Sequence, residues 1–104
     1  MGMYYVKFYQ LPYGGVMAAV ADEEVLGKAA YDDDAGVNII VSEEFYKGDL
    51  VNDEKVEKVL IEADVLVLAG DRVIDKAVKL GLVDPESVLR IGGLSHVQVF
   101  KFGF

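Results

Sequence analysis

The chain has no cysteine, which removes disulfides, thiolate nucleophiles and Cys-ligated zinc or iron–sulfur centres together. Any chemistry therefore falls to oxygen and nitrogen groups, and no cofactor is expected. Tryptophan and threonine are also missing, Asn and Gln are scarce, and Glu, Lys and Val are favoured, a usage that resembles the proteins of thermophiles. Histidine occurs once, as His96, and the arginines are Arg72 and Arg90 alone. With 18 acidic residues against 10 basic ones the net charge is -8, so the molecule as a whole repels nucleic acid phosphates and anionic membranes. Direct non-specific binding to nucleic acid or to a membrane is not expected. No apolar run approaches the length of a membrane span, and Met1-Gly2-Met3-Tyr4 leads into no signal core, so the expected location is the cytoplasm.

What is present is apolar material. At 104 residues the chain is read as one domain over 1–104, and a hydrophobic content of 53% exceeds what its core needs, which points to self-association. Met3 to Gln10 alternates, with Tyr4, Val6 and Phe8 on one face. Leu11-Pro12-Tyr13-Gly14-Gly15 is a turn and Val16 to Ala21 a second strand, giving an N-terminal β-hairpin. Asp22 caps one short turn through Glu23, Glu24 and Val25, closed by Gly27. Lys28 to Gly36, with Asp32-Asp33-Asp34, reads as a loop, Val37 to Val41 as a strand, and Ser42 as the cap of a short helix closed by Gly48.

From Asn52 the period changes. Val56, Val59, Leu60 and Ala63 recur at helical steps behind an Asn cap, predicting a helix over 53–63. Val65 to Ala69 is a short continuous apolar run, as in a central strand covered on both faces. Asp71 is expected to cap a helix with Val73, Ile74, Ala77, Val78 and Leu80 on its buried stripe. Val88 to Ile91 forms the next strand, Gly92 to His96 a loop, and Val97 to Phe102 a closing strand. Residues 65–91 thus make a C-terminal βαβ unit with parallel strands, and the fold class is α/β with a mixed sheet, or mixed α+β.

The carboxyl ends of strands 65–69 and 88–91 would share one edge of the sheet, where open α/β sheets hold ligands. Gly70, Asp71 and Arg72 offer a helix N-terminus to an anion; Gly92, Gly93, Ser95 and His96 offer close backbone approach, a hydroxyl and an imidazole. Those seven residues form the candidate anion-binding set. Turn and cap roles account for the same residues: the glycines satisfy backbone geometry, Asp71 caps, and His96 donates a structural hydrogen bond. No phosphate loop, dinucleotide fingerprint, zincin pair or nucleophile elbow is present. A Ser-His pair is disfavoured because Ser95 and His96 point to opposite faces of an extended segment. The Asp32-Asp33-Asp34 run does not fit a calcium loop and reads as a solvated turn.

Aromatic residues gather at the two ends: Tyr4, Tyr5, Phe8, Tyr9 and Tyr13, then Phe100, Phe102 and Phe104. With only Lys7 and Lys101 nearby, they suit core packing or a subunit interface better than base stacking.

Several blocks resemble a known family. Tyr5-Val6-Lys7, Ala21-Asp22-Glu23-Glu24-Val25-Leu26-Gly27-Lys28, Val41-Ser42-Glu43-Glu44-Phe45-Tyr46, Gly81-Leu82-Val83-Asp84 and Val88-Leu89-Arg90-Ile91-Gly92-Gly93-Leu94-Ser95-His96-Val97-Gln98 are similar to the small archaeal domain of unknown function numbered 424. The resemblance spans nearly the whole chain and implies an archaeal cytoplasmic protein of about this length. It carries no assigned activity or catalytic residue, and whether the protein is an enzyme stays open. The leading expectation is a non-enzymatic binding or interaction module, with a homo-oligomer formed through the aromatic ends or an unidentified protein as partner. The alternatives are a small enzyme or anion sensor at the sheet edge, and an RNA- or translation-associated protein relying on a basic patch of Lys7, Arg90 and Lys101.

Overall fold

A computed structural model describes residues 2–101. Among them, six strands form a mixed sheet in the order β5 (Asp49–Asn52), β1 (Met3–Gln10), β2 (Val16–Asp22), β6 (Val65–Ala69), β8 (Leu94–Phe100), β7 (Leu89–Ile91), and two more form a separate hairpin. The alternating N-terminal run is β1 (Met3–Gln10), turned by Pro12 to Gly15 into antiparallel β2 (Val16–Asp22), so the predicted hairpin is present. Tyr4 and Val6 are buried on one face as the alternation requires, while Phe8 on that face is 52% exposed.

Lys28 to Gly36 is not a loop. Ala29–Asp32 forms β3, pairing antiparallel with β4 (Val37–Ile40). Alanine is a poor strand former, so cross-strand pairing rather than propensity makes this strand. Asp32 Oδ1 accepts from the Ala35 amide (3.1 Å) in the hairpin turn, the structural role expected of the acidic run. Ser42 caps α1 (Glu43–Tyr46) by accepting from the Phe45 amide. An unforeseen edge strand follows, β5 (Asp49–Asn52), antiparallel to the first half of β1. Asn52 then caps α2 (Asp53–Glu62) through the Lys55 amide.

β6 (Val65–Ala69) is buried along its whole length, as its continuous apolar run predicts. Each Val or Leu side chain there contributes roughly 2 kcal/mol by leaving water. It pairs parallel with β2, Ala21 lying beside Ala69, and antiparallel with β8 (Leu94–Phe100). After α3 (Asp71–Lys79) the chain enters β7 (Leu89–Ile91), which pairs antiparallel with β8. Strands β6 and β7 therefore run parallel, as the βαβ reading has it, but β8 is inserted between them. Leu94, Ser95 and His96 belong to that strand, which leaves only Gly92 and Gly93 as the turn; Phe102 and Phe104 lie outside the described residues.

The sheet is covered on both faces. On one, Tyr4, Val20, Leu66 and Leu68 pack under Val56 and Leu60 of α2 and Val73 and Ile74 of α3. On the other, Ala19, Ala21, Val67 and Ala69 meet Ile39 and Val41 of the small hairpin segment and Tyr46 of α1. No helix among the described residues is long and apolar enough to cross a membrane.

Candidate functional site

The carboxyl ends of β2 and β6 and the β7–β8 turn meet at one edge of the sheet around an open cleft of about 670 Å³, lined by Asp22, Glu24, Lys28, Asp71, Arg72 and the glycine pair. Gly70 is the N-cap of α3 at φ 111°, and Asp71 is the first helical residue rather than the cap. The helix start is closed by a residue from another strand. Asp22, only 1% exposed, accepts from the Arg72 amide through Oδ2 and from the Val73 amide through Oδ1, each at 2.9 Å. It does not cap its own turn, contrary to the local reading. Burial raises the Asp22 carboxyl above the usual carboxylate range, while the two amides pull it back. The anion position at this helix start is thus filled by the protein's own carboxylate.

Of the remaining charges, Glu24, Arg72 and Asp71 are paired as well, while Lys28 makes no ion pair among the described residues. Arg72 grips Glu24 with both Nε (2.8 Å) and Nη2 (2.5 Å), donates from Nη2 to the Met3 carbonyl, and lies 4.6 Å from the Tyr4 ring centroid. This fork lowers the Glu24 pKa. Arg72 Nη1 is buried against Gly2, with no acceptor among the described residues. Asp71 Oδ1 accepts from Ser95 Oγ (2.6 Å) and Arg90 Nη1 (3.1 Å), and the Gly70 amide donates to the Ser95 carbonyl, so these contacts latch α3 to β7 and β8. Gly92 and Gly93 have φ of 53° and 83°, the two positive angles of a tight hairpin turn between Ile91 and Leu94.

Six of the seven candidate residues therefore meet at one edge, but as caps, latches and a turn. His96 is separated from them. Strand alternation sends Ser95 to the helix side and His96 to the hairpin side, where it lines a second groove of about 420 Å³ with Met17, Ile40, Phe45, Val67 and Phe100. No charged side chain among the described residues lines that groove, and burial lowers the His96 pKa below 6.5. A group depressed in the folded state gives its full stability above the unfolded value and loses it as pH falls, so protonating His96 opposes folding below about pH 6.5. The single imidazole can be followed by NMR titration; a midpoint clearly below 6.5 is expected, and one at or above it contradicts this placement.

Ser95 and His96 cannot act as nucleophile and base, since their side chains lie on opposite faces. No cluster of three or more His, Asp or Glu able to hold a metal ion occurs among the described residues. The three cations of a supposed basic patch are dispersed and engaged: Lys7 on the Glu44 carbonyl, Arg90 on Asp71, and Lys101 on the Leu60 and Ile61 carbonyls at the end of α2.

The groove around His96 was not legible in the sequence. Its floor joins Met17 of β2, Val65 and Val67 of β6, and Gln98 of β8, with Phe100 of β8 at its rim, so it depends on the strand order. Its walls are Ile40 and Phe45. Tyr9 stacks on Phe45 with ring centroids 5.2 Å apart and donates its hydroxyl to the Phe45 carbonyl.

A crystal structure of an uncharacterized conserved protein from Methanopyrus kandleri superposes with a TM-score of 0.67 at 22% identity, over 98% of this chain and 96% of that one, a likeness of fold. No curated protein matches the chain. The family model described as "Protein of unknown function (DUF424)" matches residues 9–102, and the chain belongs to that family.

Proposed function

We propose that the protein is a non-enzymatic, cytoplasmic binding module whose contact surface is the groove around His96, and that its occupant is an extended apolar segment of a polypeptide. The observation that carries this reading is the exposure of Phe100 (66%) and Ile40 (53%) on the rim of an uncharged groove floored by Met17, Val65 and Val67. Large apolar side chains grouped on a concave surface favour a partner that removes them from water. Beyond β7, the outer edge of β8 has backbone donors and acceptors with no partner among the described residues, so the matching partner brings backbone groups of its own as well as apolar side chains. The cleft at the opposite edge offers less, because Asp22 accepts from two backbone amides, Asp71 from Ser95 and Arg90, and Glu24 from Arg72.

A photoreactive benzophenone side chain placed at Ile40 tests this, with Lys79, an exposed residue on α3, as control. Ile40 should crosslink to one defined polypeptide segment and Lys79 should not. Binding of that segment as a synthetic peptide should weaken about tenfold or more in Ile40→Asp, since a charge would enter the rim of an apolar contact. Equal crosslinking from both positions, or none from Ile40, contradicts the reading.

A further inference from the structure

Past His96, no strand among the described residues covers the outer edge of β8. The Lys101 amide donates to the Asp64 carbonyl and the Gly70 amide to the Ser95 carbonyl, so the odd-numbered residues of β8 bond toward β6. The even-numbered residues face the other way, and β7 covers them only at Leu94 and His96. The N–H and C=O groups of Gln98 and Phe100 therefore have no partner among the described residues.

Natural edge strands are guarded by charge, proline or bulges. Val97-Gln98-Val99-Phe100 has none of these. The nearest cation, Lys101, is folded back onto the carbonyls of Leu60 and Ile61, away from the edge. The second half of β1, Lys7–Gln10, is also uncovered on its outer side, because β5 pairs only with Met3 to Val6. However, β1 and β8 run in the same direction on opposite edges, so joining one to the other would be head-to-tail and would not close on itself. Pairing β8 with β8 closes.

We propose that the occupant is a second copy of this chain, with the two β8 strands paired antiparallel about a two-fold axis at Val99. This inference rests on the functional reading above and names its partner. Gln98 of one copy then lies opposite Phe100 of the other, each pair exchanging both N–H···O bonds. Residues directly opposite share a face, so each Phe100 lies over the neighbouring Gln98, and the two grooves join into one apolar surface. The uncharged edge lets two molecules of net charge -8 meet without like charges in contact.

The test is sedimentation equilibrium of the full chain and of Gln98→Pro, with amide hydrogen exchange of the wild type. Proline at 98 removes only an N–H that faces the free edge and leaves the bonds to β6 in place. The expected result is a wild-type mass of twice 11.4 kDa, slow exchange at Gln98 and Phe100, and a monomeric, folded Gln98→Pro. Should the proline variant fail to fold, Phe100→Lys gives the same reading, because it puts like charges across the two-fold. A wild type that stays monomeric into the high micromolar range, or dimers unaffected in a folded variant, overturns the proposal. In that event a segment of another protein crosslinked at Ile40 would keep the functional reading, whereas no crosslink would end both.

Discussion

Asp22→Ala should lower the free energy of unfolding by about 3 kcal/mol, because it removes one helix cap and strands two buried amides. The carboxylate is 1% exposed and is the acceptor for both Arg72 N and Val73 N at the start of α3. No other group among the described residues takes those two protons. Asp22→Asn keeps one acceptor oxygen and should lose roughly half as much. Denaturant titration, with the midpoint read at constant slope, measures both. A loss below about 1 kcal/mol for alanine would mean that the cap contributes little, and that the edge cleft is free to take an external anion.

Gly70→Ala should be at least as damaging. At φ 111° the backbone lies where an L-residue is strained by about 1–3 kcal/mol, and a Cβ would overlap the Asp22 carboxyl group. The two effects share a cause, which gives a sharper expectation than either variant alone. Once Asp22 is alanine, the two closest overlaps, with the carboxyl carbon and oxygen, are gone, leaving the backbone strain and a 2.8 Å contact with the Cβ at position 22. The double variant should then be more stable than the sum of the single losses predicts, by about 1 kcal/mol or more. Simple additivity would show that the carboxyl group moves aside freely and is not held by the helix start.

These residues also mark where the sequence stopped being informative. Asp22-Glu23-Glu24-Val25-Leu26-Gly27 satisfies the local pattern of a capped turn, and locally that is what forms. Which helix the Asp22 side chain closes depends on Ala21 lying beside Ala69, a parallel pairing between residues far apart in the chain. The elements that could be read were those whose pattern is local: the alternation and turn of β1 and β2, the capped period of α2, and the uniform apolar run of β6. Two short strands escaped. β3 is built on Ala29 and Ala30, which carry little strand preference, and β5 has only Val51 partly buried between polar ends. The insertion of β8 between β6 and β7 left no mark in any single segment.

The same distinction explains the candidate site. Chain proximity and the shared sheet edge brought Gly70, Asp71, Arg72, Gly92, Gly93 and Ser95 together as expected. Strand alternation alone foretold that Ser95 and His96 would part. Where His96 then points depends on the β3–β4 hairpin and α1, whose placement over the sheet brings Ile40 and Phe45 beside it. Of the aromatic ends, Tyr4 is core and Tyr9 is stacked on Phe45, while Tyr13 and Phe100 are on the surface. Aromatic content at the termini therefore did not separate core residues from surface ones.

Whether the groove or the edge cleft binds is decided by an amide-resolved NMR titration of the labelled protein with the polypeptide crosslinked at Ile40, run in parallel with inorganic phosphate. The polypeptide should move or broaden the signals of Met17, Ile40, Phe45, His96, Gln98 and Phe100, and phosphate should leave Arg72, Val73, Gly92 and Gly93 unchanged. Phosphate shifts at Arg72 and Val73 with a silent groove would contradict the groove reading and return the function to the edge cleft.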